Sequence, residues 1–235
     1  MKATVCVPTY NELQNIEPML RALGDVLRPG DRVLVIDDDS PDGTGREADR
    51  LAAELAFVDV LHRERKEGLG PAYLAGFRRA LGDGTELVLE IDCDFSHDPG
   101  DVPRLIAEAE NGADLVLGSR YVRGGGVRDW GLVRRFISRG AALYTGLFLH
   151  MGVHDPTGGF KCFRRGVLEA IDFDAVAAGG YVFQIEMTYR AKRAGFRVVE
   201  LPITFTDREV GRSKMSRSIV LEALWRVPLL RLRVR

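Results

Sequence analysis

Residues 5–12, VCVPTYNE, read as a buried strand that runs directly into a proline, an aromatic ring, an amide and an acid. Such a strand near the start of a chain usually opens a nucleotide-binding parallel sheet, and a glycine-rich phosphate loop usually follows it. None follows here. There is no G-x-G-x-x-G after this strand and no G-K-[ST] anywhere in the chain. Dinucleotide-dependent redox chemistry and P-loop hydrolysis therefore lose their main sequence support.

Working outward, residues 2–7, 32–36 (RVLVI), 57–61 (FVDVL), 86–91 (ELVLEI) and 114–118 (DLVLG) are short, rich in β-branched residues and bounded by turn residues, as strands are. Helical patterns lie between them. In 15–27 the apolar positions Ile16, Met19, Leu20, Leu23 and Leu27 recur at spacings of three and four, with Asn15 as N-cap and Pro18 tolerable in the first turn. Residues 45–56, 71–81 and 101–110 repeat the theme. This alternation predicts a doubly wound, mostly parallel sheet in one domain spanning 1–235. Further on, a helical stretch to about 150, a glycine turn at 155–160, a helix near 181–194 and a strand at 197–203 are expected. No internal repeat and no low-complexity linker interrupts the chain.

A chain of 235 residues with 46% hydrophobic content can bury a sizeable core. The formal charge of −1 gives no global field for a polyanion, so no nucleic-acid partner is expected and any anionic ligand must meet a local basic patch. One such patch is 120–139, with six arginines against one acid around a triple glycine. Three cysteines without C-x-x-C spacing imply a reduced intracellular protein without a disulfide framework or zinc site. Met1 leads directly into a strand, so no signal peptide is expected. The most apolar stretches, 141–149 and 219–232, are too short or too interrupted by arginine to span a bilayer.

Ligands of open α/β sheets bind beyond the carboxyl ends of the strands, so the loops there are where function is sought. Those loops carry Pro8 to Glu12, Asp37 to Gly43, Asp92 to His97, and Gly118 to Tyr121, and three of the four are acidic. Asp92 and Asp94, two residues apart on an extended run, would point to one side and can share a hard divalent cation, with water and substrate phosphates completing its shell. Two aspartates at a strand end are also a common solvated turn. The stretch 38–49 matches several positions of a calcium loop, but a strand precedes it where such a loop requires a helix, and that reading is rejected. It remains either an Asx turn capping the next helix or an acidic wall for a base or ribose. Glu67 to Ala72 opens a helix with two glycines, which lets a ligand approach the backbone or simply makes a tight turn.

In order along the chain, PTYNE (8–12), VIDDDSPDGT (35–44), EGLGPAYLAGF (67–77), DCDFSHDP (92–99), GSRYV (118–122), DPTGGFKCF (155–163), VFQIEM (182–187) and REVGRSK (208–214) together resemble a family-2 glycosyltransferase. More narrowly they resemble the polyprenol-phosphate (dolichol-phosphate) mannose synthases. The resemblance spans nearly the whole chain. It implies a nucleotide-diphospho-sugar transferase (GT-A) fold, a Rossmann-like, mostly parallel mixed sheet flanked by helices.

The resemblance also implies a site. Pro8, Tyr10, Glu12, Ile36, Asp38, Cys93 and Gln184 would bind the nucleotide sugar, and Asp92, Asp94 and Ser96 would hold Mg2+ or Mn2+ on its diphosphate. Ser96 departs from the glutamine frequent in archaeal members, though a hydroxyl still suits a hard cation. Arg208 and Lys214 would close over the diphosphate, and Arg120, Arg134 and Ser138 would hold the acceptor phosphate. A cation on the phosphates removes the need for a glycine loop, which accounts for the opening stretch.

The implied reaction is inverting transfer of mannose from GDP-mannose to a polyprenyl monophosphate. The alternatives are a UDP-sugar donor to the same lipid, or a non-catalytic nucleotide-sugar-binding protein. Because the acceptor is a lipid, a cytoplasmic protein peripheral on the inner leaflet is expected, with or without a separate membrane-anchoring subunit. The segment 212–235 supports this, with seven basic residues against Glu222 interleaved with leucines, Ile219 and Trp225, as in an amphipathic surface helix. A final helix packed on the sheet with its arginines in water is the competing reading.

Overall fold

The computed structural model describes residues 1–176, 180–207 and 217–234, with Tyr181 and residues 217–223 described by their backbone alone. Strand β1 (Ala3–Thr9) lies between β2 (Arg32–Asp37) and β4 (Leu87–Glu90), parallel to both, and β2 pairs in parallel with β3 (Val58–His62). On the far side of β4 come β7 (Lys161–Arg164), β5 (Leu115–Ser119) and β8 (Val198–Pro202), giving the order β3-β2-β1-β4-β7-β5-β8. Strand β7 runs antiparallel to both its neighbours, while β5 and β8 are parallel. The sheet is therefore mixed and mostly parallel.

The pleat divides the core in two. Along β1, Val5 and Val7 face the layer built with α1 (Ile16–Val26), α2 (Thr44–Glu54) and α4 (Val102–Glu110), whereas Cys6 faces the other layer. In β2, Val33 and Val35 join the first layer and Leu34 and Ile36 the second, as a period of two requires. The second layer is closed by α3 (Leu69–Gly82), α7 (Gly180–Arg193) and α8 (Arg217–Arg233), with Tyr73, Phe77, Phe163 and Phe183 fully buried. Burying each such side chain stabilises the fold by about 1.5–3 kcal/mol. Gly76 allows α3 to lie close on β2, since a Cβ there would fall 2.5 Å from Ile36 Cδ1.

Helix α1 buries Ile16, Met19, Leu20 and Leu23, as the spacing predicts. Two short strands, β6 (Gly126–Val127) and β9 (Thr204–Phe205), form a separate parallel pair. Neither they, nor β7, nor α6 (Arg165–Glu169) was expected from the sequence. The extended run expected to carry the D-x-D ends at Glu90, so Asp92 and Asp94 sit in the turn just beyond β4.

Helix α5 (Leu132–Leu149) buries only Ala142, Thr145 and Leu149, and leaves Leu132, Val133, Phe136, Leu143 and Leu147 between 66% and 76% exposed. It touches α8 through a hydrogen bond from Tyr144 Oη to Leu224 O, 2.8 Å. Helix α8 combines the two readings of the C-terminal segment. Val227, Leu230 and, just beyond its end, Val234 pack on the core, while Leu224, Trp225, Leu229 and Leu232 face outward.

Candidate active site

The carboxyl ends of β1, β2, β4 and β5 meet at one edge of the sheet, and the residues expected to act lie along it. At β2, Asp37 is consumed locally: its Oδ1 accepts from Ser40 Oγ at 2.6 Å and Thr9 Oγ1 at 3.2 Å. Asp42 accepts from the backbone N–H and hydroxyl of Thr44 at the start of α2. Those parts of the acidic stretch are an Asx-type cap. Asp38 is different. It is nearly buried, and it accepts from the Arg63 guanidinium and, at 3.3 Å, from the Gly68 N–H. Beside it, Lys66 Nζ stands 3.6 Å from the centroid of the Tyr10 ring, and Glu12 accepts from Asn15 Nδ2 at 2.8 Å.

Pro8 and Ile36 belong to β1 and β2, where Ile36 is fully buried in the core. Cys93 likewise places its side chain in the core layer on the α1 face. The side chains of Ile36 and Cys93 are thus packing groups rather than exposed binding groups.

At β4, Asp92 accepts from Tyr73 Oη at 3.4 Å, and Asp94 accepts the Ser96 N–H at 3.0 Å. Ser96 is buried, and its Oγ has no hydrogen-bond partner among the described residues. An orphaned buried hydroxyl is costly unless something fills it. The Ser96 backbone contacts Asp94, and the hydroxyl with the Asp92 and Asp94 carboxylates would be an all-oxygen set of the chemistry a hard divalent cation takes. Among the described residues no group of three or more His, Cys, Asp or Glu gathers to hold a metal, so an ion here needs the hydroxyl, water or substrate oxygens to complete its shell.

Gln184 is buried beneath this edge. Its backbone O and its Oε1 both accept from Lys161 Nζ, the first at 2.8 Å. Lys161 faces Glu90 across the antiparallel β4–β7 ladder, and both are fully buried. Burial pushes Glu90 up to about 7 and brings Lys161 down to about 8. A Cβ on Gly159 would make only ordinary contact with Gln184 Nε2 at 3.5 Å and Asp92 Oδ2 at 3.8 Å, which places the β7-side glycine turn next to both groups.

At β5, Arg120 forms a forked pair with Asp155, Nε to Oδ2 at 2.7 Å and Nη2 to Oδ1 at 2.6 Å, and donates also to Thr157 Oγ1 at 2.8 Å. Burial alone would raise the Asp155 carboxyl, but the Arg120 hydrogen bonds outweigh it and hold the group below the usual carboxylate range. His97 is buried between Phe160 and Phe205, with ring centroids at 5.2 and 5.0 Å, and burial depresses it to about 4.

Arg134 pairs with Asp207 at 2.6 Å and lies 4.2 Å over the Trp130 ring, and Ser138 Oγ is 2.5 Å from Tyr121 Oη. These residues flank a cavity of about 390 Å³ lined by Arg120, Tyr121, Trp130, Arg135, Phe136 and Arg139. Arg135 and Arg139 were not singled out from the sequence. Their i, i+4 spacing on α5 was the signal that could have found them. Arg208 and Lys214 lie outside the described residues.

This edge carries a nearly buried acid after β2, a D-x-D after β4 and an arginine-lined cavity after β5. Residues 4–172 match the sequence profile of Glycosyl transferase family 2; the chain belongs to that family and is a glycosyltransferase. It is 48% identical over 227 residues to the polyprenol monophosphomannose synthase of Mycolicibacterium smegmatis, covering 96% of this chain and 85% of that one. It is also 48% identical to the undecaprenyl-phosphate mannosyltransferase of Micrococcus luteus, over 95% of this chain and 91% of that one. To the dolichol-phosphate mannosyltransferase of Pyrococcus furiosus it is 35% identical, over 95% of this chain and 62% of the longer relative. Among solved structures, glucosyl-3-phosphoglycerate synthase from Mycobacterium tuberculosis, in complex with Mn2+, UDP and glucosyl-3-phosphoglycerate, superposes with a TM-score of 0.71 at 18% identity, over 99% of this chain and 80% of that one. At that identity the likeness shows the GT-A-like fold alone.

Proposed function

We propose that this glycosyltransferase moves mannose from GDP-mannose to a polyprenyl monophosphate, with inversion at the anomeric carbon. The observation that carries the reading is the cavity beside Arg120. It combines guanidinium groups for an anion with aromatic walls, and it is bounded by Leu132 and Phe136 of the exposed apolar face of α5. A lipid phosphate needs both kinds of surface. The names of the relatives at 48% identity support the same acceptor and sugar.

On this reading Tyr10, Glu12 and Asp38 receive the nucleoside, while Arg135 and Arg139 join Arg134 and Ser138 at the acceptor phosphate. Planar guanidinium groups suit phosphate oxygens. Arg120, locked to Asp155, fixes the wall of that site. An acceptor phosphate with a second pKa near ~6 is largely dianionic at neutral pH, so its oxygen attacks without a general base. That oxygen forms the new bond to the anomeric carbon as the bond to the GDP oxygen breaks. A divalent cation, Mg2+ or Mn2+, held by Asp92, Asp94 and Ser96 would neutralise charge on the diphosphate. Arg208 and Lys214 are proposed to stabilise the same developing charge.

Among the described residues no helix is long and apolar enough to cross a membrane. The outward leucines and aromatics of α5 and α8, with the exposed Arg231 and Arg233 in the last turn of α8, offer a surface suited to an anionic leaflet. We place the protein peripherally there, with the cavity mouth toward the lipid. The test is incubation with labelled GDP-mannose, a short polyprenyl phosphate and Mg2+ or Mn2+, with UDP-glucose in parallel. Lipid-soluble label from GDP-mannose is expected; label from UDP-glucose alone overturns the donor, and label from neither overturns the transfer.

A further inference from the structure

Tyr121 follows Arg120 just beyond β5, where Asp155 holds both the backbone and the guanidinium of that arginine. Its half-buried ring lines the arginine-bearing cavity, with its centroid 5.3 Å from Arg120 Cζ and 6.0 Å from Arg139 Cζ. Cation–π contact and packing account for the ring, and phenylalanine would serve them too. The hydroxyl has another task. It donates to Ser138 Oγ at 2.5 Å, seventeen residues further on. Ser138 lies on α5 three residues after Arg135, and that spacing, like the four residues from Arg135 to Arg139, keeps the side chains on one helix face. A serine hydroxyl carries one hydrogen and two acceptor lone pairs. In a helix that hydrogen can return to the carbonyl four residues back, as Thr145 Oγ1 does to Ala141 O at 2.8 Å in this same helix. Ser138 makes no bond of that kind among the described residues, so its oxygen accepts from the phenol while its hydrogen is uncommitted.

We infer that Tyr121 is a positioning residue for the acceptor: by donating into Ser138 Oγ it frees the serine hydrogen to donate to a phosphate oxygen of the lipid in the cavity. The inference rests on the acceptor reading of this cavity given above. A phenol is the more acidic of the two hydroxyls, so it donates and the serine accepts. Two hydroxyls in series polarise one another, and a hydrogen bond that ends on a charged oxygen is stronger than one between neutral groups. Without the phenol, the serine hydrogen rotates back toward the Arg134 carbonyl, and the phosphate meets a lone pair instead of a donor. The guanidinium groups of Arg120 and Arg134 are already tied to Asp155 and Asp207. The hydroxyl relay therefore adds a donor of fixed direction that no ion pair has to release.

The test is a double-mutant cycle on the full chain, with Tyr121→Phe, Ser138→Ala and the two combined, read as kcat/KM for a short polyprenyl phosphate with labelled GDP-mannose as donor. Each substitution deletes one hydroxyl at a half-buried position, so all three variants should fold. Ser138→Ala should lower the acceptor kcat/KM about tenfold or more, and Tyr121→Phe about threefold to tenfold, with the KM for the donor near wild type in both. The double variant should match Ser138→Ala alone, because the phenol acts only through the serine. An unchanged acceptor kcat/KM in Tyr121→Phe overturns the relay, as does the same loss from Tyr121→Phe whether or not the serine is present; either result leaves the acceptor reading in place. A larger loss in Tyr121→Phe than in Ser138→Ala reverses the order of the two hydroxyls and also overturns it. An unchanged acceptor kcat/KM in Ser138→Ala removes that serine from the acceptor site and the inference with it. A wild type that transfers no label overturns the transfer reading itself.

Discussion

Arg120 and Asp155, thirty-five residues apart, meet in a forked ion pair whose side chains are 6% and 0% exposed. The Arg120 backbone N–H also donates to Asp155 Oδ2 at 2.9 Å. One carboxylate therefore holds both the main chain and the side chain at the end of β5. A buried pair of this kind adds little net stability, but breaking it strands a charge.

Asp155→Ala should consequently cost about 3–5 kcal/mol in urea unfolding. The double variant Arg120→Met, Asp155→Leu should recover a large part of that loss. A single variant within about 0.5 kcal/mol of wild type would show that the pair is not closed in solution.

Asp94→Asn removes one carboxylate charge from the proposed cation site while keeping the shape of the side chain. Transfer of labelled mannose should fall about 10²–10³-fold, with the loss confined to turnover rather than to folding. Undiminished transfer at saturating Mn2+ would remove Asp94 from the site.

Arg135→Ala with Arg139→Ala should raise the KM for the polyprenyl phosphate about tenfold or more and leave the KM for the donor near wild type. Equal changes in both constants would count against a dedicated acceptor cavity.

His97 is held near 4 against an ordinary 6.5, because burial disfavours its charged form. The unfolded chain therefore binds the proton first as pH falls. Stability is complete above about 6.5, declines between 6.5 and 4, and levels off below, by about 3 kcal/mol in all. Unfolding free energies in chelator, followed over that range, should show this slope, and His97→Gln should flatten it.

Phe136→Ser combined with Trp225→Ser removes two aromatics from the outward faces of α5 and α8, where they are 76% and 77% exposed. Partition onto anionic vesicles should fall about tenfold or more, with the melting temperature unchanged. Retained partition would place the lipid-facing surface elsewhere.

The sequence by itself determined the order of the sheet-forming units and the family. Periods of two and of three to four are written locally, as in Val5 and Val7 against Cys6, or Ile16, Met19, Leu20 and Leu23. The strand-end motifs likewise identify themselves, because ligands of such sheets meet the loops beyond the carboxyl ends. Tertiary structure alone decided what each polar residue does there. Strand β7 was illegible because four residues, Lys-Cys-Phe-Arg, carry a charge at either end, and only burial against Glu90 and Gln184 makes that lysine a core residue. In the same way Asp38 found Arg63, and Arg120 found Asp155, across turns whose geometry no local pattern encodes. Hydrophobic period is a property of neighbours in sequence, whereas a charge takes its meaning from whichever partner the fold brings within hydrogen-bond reach.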